Sequence, residues 1–150
     1  MQESIHLLLV EDNPGDVLLI REALRQCSQS VDVTIAEDGA RALQLLRAGF
    51  KADLIILDLN IPRMDGYAVM ECLGQIRTPI IAFTWSIEGA ERALTLGAKE
   101  VVRKPSDYSA FIEAVCRIVE TWGRSRGANG GCGFKVAHHR ILLEAVIERR

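Results

Sequence analysis

Three carboxylates stand where short apolar runs end. Asp58 follows Leu54-Ile55-Ile56-Leu57, and Glu11 and Asp12 follow Ile5-His6-Leu7-Leu8-Leu9-Val10. Runs this short and rich in Ile, Leu and Val suit strands buried on both faces of a parallel sheet. Ligands of such sheets sit at the carboxyl ends of the strands, where the topology reverses. Glu11, Asp12 and Asp58 are therefore expected to meet at one edge. Without a cation they would repel one another and hold protons more tightly. A hard divalent ion with oxygen ligands removes that penalty, and Mg²⁺ is the usual ion where phosphate chemistry follows. The trio reads as a site for metal-assisted phosphate chemistry.

The elements that must position this trio can be followed along the chain. Asn13 is a good N-cap and Pro14 suits the first helical position, ahead of Val17, Ile20, Leu24 and Cys27 at helical spacing. Residues 31–35 alternate, as a strand nearer the sheet edge does. Asp38 can cap a helix carrying Ala42, Leu43 and Leu46, which Gly49 closes. Residues 52–59 predict a third strand, 67–76 a third helix and 78–84 a fourth strand, with Pro79 tolerated near its start. Ala90, Ala93, Leu94 and Leu96 predict a short helix ended by Gly97, and residues 100–104 a fifth strand. Phe111, Val115, Ile118 and Trp122 then share one face of a long last helix. Five strands alternating with five helices predict an α/β fold, a doubly wound five-stranded parallel sheet with helices on both faces and right-handed crossovers. Residues 1–123 make the predicted domain. Residues 124–150 read as a linker rich in glycine (Gly127, Gly130, Gly131, Gly133) and a short C-terminal tail, helical over 138–150.

Composition removes several classes of function. A chain of 150 residues, 49% hydrophobic and 25% charged, has the make-up of one ordinary soluble domain with a real core. A net charge of −2 leaves no electrostatic footprint for nucleic acid or an acidic membrane. No stretch is long enough to span a bilayer, and the run at residues 5–10 has no basic leader, so neither anchor nor signal peptide is expected. Cys27, Cys72, Cys116 and Cys132 form no C-x-x-C pair, and three fall in helical patterns. Free thiols in a reducing, cytoplasmic setting are expected rather than a disulfide framework. Cys132 with His138 and His139 lacks metal-ligand spacing, and the glycines at 127–133 lack the order of a phosphate loop.

Taken in order, Glu11-Asp12, Asp58, Pro62-x-Met64-Asp65-Gly66, Thr84 at the end of the fourth strand and Lys104-Pro105 at the end of the fifth resemble the receiver domain of two-component response regulators. The likeness runs from Ile5 to about Trp122. The opening Val10-Glu11-Asp12-Asn13-Pro14-Gly15-Asp16 also looks like the small stand-alone regulators paired with cyanobacterial phytochromes. The resemblance implies a flavodoxin-like sheet of strand order 2-1-3-4-5. It implies a single-domain regulator whose Asp58 accepts a phosphoryl group from a phosphohistidine of a sensor histidine kinase. Such a protein is no enzyme beyond its own phosphoryl transfer and dephosphorylation. Glu11, Asp12, Asp58 and the backbone carbonyl of Asn60 are the implied Mg²⁺ ligands. Lys104 and Thr84 are implied to meet the phosphoryl oxygens, which suits a reaction catalysed by positioning and cations. A cis bond before Pro105 is implied to aim Lys104 into the pocket. The implied output is a phosphorylation-dependent protein contact, often a homodimer through the fourth helix, fifth strand and fifth helix.

Two positions depart from that pattern. Receivers usually carry Tyr or Phe two residues before the lysine's neighbour on strand five, and here Val101 has no ring to swing. The residue after the strand-four hydroxyl is normally small, and here it is Trp85. The indole either shields Asp58 or serves as the moving aromatic itself. Three rivals follow. One is a pseudo-receiver that binds partners without phosphate. Another is a Mg²⁺-dependent aspartyl phosphatase, which would want an acid where Asn60 stands. The last is a flavin-binding protein, which would want a hydroxyl-rich loop in place of residues 11–14.

Overall fold

Apolar runs become strands and amphipathic runs become helices in strict alternation up to Trp122. The computed structural model describes residues 3–124 and 140–141. In order these form β1 (Ile5–Val10), α1 (Pro14–Gln26), β2 (Val31–Ala36), α2 (Gly39–Arg47), β3 (Leu54–Leu57), α3 (Gly66–Leu73), β4 (Ile80–Thr84), α4 (Ala90–Thr95), β5 (Glu100–Arg103), α5 (Tyr108–Trp122) and β6 (Arg140–Ile141). All strands pair in parallel, in the order β2-β1-β3-β4-β5-β6. The expected five-stranded order 2-1-3-4-5 is therefore present, with two residues of β6 added beside β5. Every residue of β3 and β4 is buried, whereas the alternating β2 lies at an edge.

The pleat divides the apolar side chains between two cores. Leu8, Val10, Ile55, Leu57, Ala82 and Val101 face α2, α3 and α4 on one side of the sheet. Leu7, Leu9, Ile56, Ile81, Phe83 and Val102 face α1 and α5 on the other. Phe83 meets Phe111 edge to face, with ring centroids 5.3 Å apart, the arrangement that aromatic quadrupoles favour. The helices start where the sequence supplies caps. Asn13, Asp38, Asp65 and Asp107 each accept a backbone N–H from the first turn of α1, α2, α3 and α5. Each such cap contributes about 1 kcal/mol.

Four expectations are corrected. Helix α3 stops at Leu73 rather than at residue 76, because Gly74 adopts a positive φ of 61° that breaks the helix. No peptide bond among the described residues is cis, so the Lys104–Pro105 bond has the ordinary, lower-energy trans form. Cys27 and Cys116 are not free thiols: they are paired in a disulfide, with Cα atoms 5.3 Å apart where the end of α1 crosses α5. Pairwise spacing in the sequence could not reveal this, since the two residues lie 89 positions apart. Arg140 and Ile141 form a strand where a helix was expected, because β5 offers them an open edge. The remainder of the expected linker and tail beyond Arg124, with Cys132, His138 and His139, lies outside the described residues.

Candidate phosphoryl-acceptor site

The sheet brings the ends of β1, β3, β4 and β5 side by side, and each end carries one polar residue. Backbone pairing continues one step past the strands: Asp58 N–H donates to the Val10 carbonyl at 3.0 Å, Glu11 N–H to that of Ala36 at 3.0 Å, and Lys104 N–H to that of Thr84 at 2.8 Å. Glu11, Asp58, Thr84 and Lys104 are thus placed by the ladder itself. All four are buried, Thr84 completely, while Asp12 is exposed at the mouth.

Lys104 lies at the centre of the group. Its ammonium donates to Glu11 Oε1, to Asp16 Oδ2 at 2.8 Å and to Asp58 Oδ2 at 3.1 Å. The other oxygen of Asp58 accepts the Asn60 N–H at 3.0 Å, and the Asn60 amide reaches Thr84 Oγ1 at 3.5 Å. Glu11 Oε2 accepts the backbone N–H of Asp12 at 3.0 Å. Gly66 presses the β3–α3 loop onto the acceptor strand. A Cβ there would lie 2.7 Å from Leu59 Cα and 2.8 Å from the Asp58 carbonyl oxygen.

Oxygen atoms of Glu11, Asp12 and Asp58 lie within 4.8 Å of one another. An all-oxygen set of this kind suits a hard divalent cation. Of these, Glu11 and Asp58, together with Asp16, face the Lys104 ammonium. Burial pushes the Glu11 carboxyl up to about 8, with the Asp58 charge adding and Lys104 opposing. Burial alone would pull the Lys104 ammonium down, but the hydrogen bonds it donates to Asp16 and Glu11 and the charges of Asp58 and Glu11 outweigh it and leave it raised. The lysine is a permanent cation.

A cleft of about 400 Å³ opens onto this cluster, with Asp12, Asp16, Asp58, Asn60 and Trp85 in its walls. Trp85 is 45% exposed, and its indole N–H donates to Asp16 Oδ2 at 2.9 Å. Lys104 Nζ lies 5.8 Å from the centre of the Trp85 ring and 5.9 Å from that of Phe83, within range of cation–π attraction. The indole therefore sits at the rim of the cleft. Val101 is buried in the core facing α4. Asp16, in contact with both Lys104 and Trp85, is the residue of this cluster that sequence reasoning did not single out. A signal was present: Asp16 prolongs the buried stripe of α1 formed by Ile20, Ala23 and Leu24, and an acid on a buried stripe needs a partner.

Comparison with known proteins agrees with this arrangement. Residues 7–116 match the model of the response regulator receiver domain. Protein-glutamate methylesterase/protein-glutamine glutaminase 1 of Syntrophus aciditrophicus (strain SB) is 35% identical over 140 residues, covering 81% of this chain and 40% of that protein. The chain thus spans less than half the length of that curated relative. The phosphorylated cyanobacterial phytochrome response regulator RcpA superposes with a TM-score of 0.74 at 30% identity, over 80% of this chain and 94% of that one. The Mn²⁺-bound form of response regulator Rcp1 gives 0.72 at 25% identity, over 81% and 96%. With the family model matching most of its length and the acid, hydroxyl and lysine positions gathered at one sheet edge, the chain belongs to the response regulator receiver family.

Proposed function

We propose that the protein is a single-domain response regulator in which Asp58 accepts a phosphoryl group from a sensor histidine kinase. The observation that carries this reading is Asp58 itself, oriented by the Asn60 N–H on one oxygen and by a buried Lys104 on the other, at the floor of an open cleft. In the reaction a carboxylate oxygen of Asp58 forms a P–O bond as the P–N bond of the donor phosphohistidine breaks. The electron pair of that bond stays on the imidazole. Lys104 follows the charge that gathers on the phosphoryl oxygens, and the Thr84 hydroxyl has a hydrogen to donate to one of them. Glu11, Asp12, Asp58 and the Asn60 carbonyl would hold Mg²⁺, which when bound neutralises negative charge on the phosphoryl group. A Mn²⁺-bound relative and the all-oxygen donor set support a divalent ion here.

The likeness to phytochrome-associated regulators supports a phytochrome-type kinase as the partner. The output would be a phosphorylation-dependent protein contact in the cytoplasm; among the described residues, no helix is long and apolar enough to cross a membrane. A homodimer through α4, β5 and α5 would not use Glu100, which is bound internally by Arg117 at 2.6 Å and by the Trp122 indole at 3.1 Å. The phosphatase alternative is disfavoured by Asn60, whose backbone N–H and amide bind Asp58 and Thr84 where a second acid would be needed. Labelling with radioactive acetyl phosphate and Mg²⁺ tests the assignment. Asp58→Asn should lose essentially all label, and undiminished labelling of that variant would overturn it. Failure of the wild type to take up phosphate or beryllofluoride would establish the pseudo-receiver instead.

A further inference from the structure

An ammonium has three N–H bonds, and in Lys104 all three are engaged, by Glu11, Asp16 and Asp58. The Asp16 oxygen that accepts from Lys104 is the same one that accepts from Trp85 Nε1. One carboxylate oxygen thus ties the buried cation to the indole at the mouth of the cleft. The preceding residues hold it in place. Asn13 Oδ1 accepts the Asp16 N–H at 3.1 Å, Pro14 occupies the start of α1, and a Cβ at Gly15 would crowd Asn13 Oδ1 at 3.1 Å. Asp16 lies in the first turn of a helix of 13 residues, where the dipole favours negative charge. It is only 7% exposed. The acceptor chemistry assigned to Asp58, Lys104 and Thr84 gives Asp16 no part.

We propose that Asp16 is a positioning residue which, acting through Lys104 and Trp85, slows phosphorylation of Asp58 and prolongs the life of the aspartyl phosphate. This rests on Asp58 being the acceptor. In the resting protein Asp16 holds Lys104 toward α1 and competes with an incoming phosphoryl group for it. Its charge also repels an anionic donor entering the cleft. Through the indole N–H, the same carboxylate keeps Trp85 over the opening and restricts water. The two effects belong to different features of one side chain. The charge acts on Lys104, and the acceptor oxygen alone suffices for Trp85.

Asp16→Asn removes the charge and keeps an acceptor oxygen, while Asp16→Ala removes both. With acetyl phosphate and Mg²⁺, a P–O bond to Asp58 forms as the bond from phosphorus to acetate oxygen breaks and acetate leaves. Asp16→Asn should label roughly three- to tenfold faster than wild type, the scale of one competing charge-assisted hydrogen bond removed, with its phosphate lifetime unchanged. Asp16→Ala should label at least as fast and lose its phosphate several-fold sooner. Trp85 emission, read in a Trp122→Phe background, should shift to the red in Asp16→Ala and hold in Asp16→Asn. Equal rates, lifetimes and emission in all three proteins overturn the proposal and leave Asp58 as acceptor. A shifted emission with unchanged rates and lifetimes also overturns it, reducing Asp16 to a structural contact. Label that survives Asp58→Asn overturns the acceptor assignment and this proposal with it.

Discussion

Three carboxylates around Lys104, those of Glu11, Asp16 and Asp58, make proton binding at Glu11 part of the stability of the site. The Glu11 carboxyl stands at about 8 in the folded chain against its ordinary 4.5, raised chiefly by burial and further by neighbouring Asp58, against the opposing pull of Lys104. The folded state therefore holds this proton more tightly than the unfolded one. The stabilisation is fully present below about 4.5 and is lost as pH rises through about 8. Metal-free protein should melt at progressively lower temperature from about pH 5 to about pH 8 and level off above that, and Mg²⁺ should restore more stability at the alkaline end, where Glu11 is an ionised ligand. Melting curves in chelator and in Mg²⁺ across that range test this. A profile flat in both would mean that Glu11 is already ionised at neutral pH. Trp85 gives a second test at this scale. Its indole flanks the cleft while Asp58 lies at the floor, so Trp85→Ala should speed labelling by acetyl phosphate and shorten the phosphate lifetime, each by about two- to tenfold. Equal rates and lifetimes would assign the half-exposed ring to partner binding alone.

At the scale of elements, the acceptor depends on how closely α3 approaches the end of β3. A methyl group at Gly66 would collide with backbone, Leu59 Cα and the Asp58 carbonyl, which has no flexible tip to yield. Gly66→Ala should lower stability by about 2–4 kcal/mol and slow acetyl phosphate labelling as well. Asp107→Ala, which removes only the cap of α5, should lower stability by about 1 kcal/mol and leave labelling intact. If the two variants lose labelling equally, the Gly66 contact has no special link to the site. The same elements show what was legible in advance. The central strands were readable because burial on both faces leaves an unbroken apolar run, and β2 because one solvated face makes it alternate. The acid positions followed, since each ends such a strand, whereas Thr84 and Lys104 were singled out through the resemblance to receiver domains. Asp16 escaped because its function arises from tertiary contacts with Lys104 and Trp85, 88 and 69 residues away. The end of α3 escaped because Gly74 is one of several glycines and only its backbone angle marks it as a stop.

For the whole molecule, the decisive constraint lies on the face opposite α2, α3 and α4, where α1 and α5 pack together on the sheet. The Cys27–Cys116 bond staples these helices at the end of α1 far from Asp16 and closes a segment of 89 residues. In the chain-entropy account a loop of that length removes roughly 4–5 kcal/mol of freedom from the unfolded state. Reducing compartments keep most thiols open, so the molecule has two stabilities, set by its redox surroundings. Oxidised protein should melt about 5–15 °C above the reduced form, and Cys27→Ser should melt with the reduced form whether or not reductant is present. Cys72 is exposed and outside this pair, so Cys72→Ser should keep the full difference. Peptide mapping without reductant should recover residues 27 and 116 in one cross-linked fragment. If air-oxidised protein yields both as free thiols and melts as the reduced form does, α1 and α5 are held by packing alone.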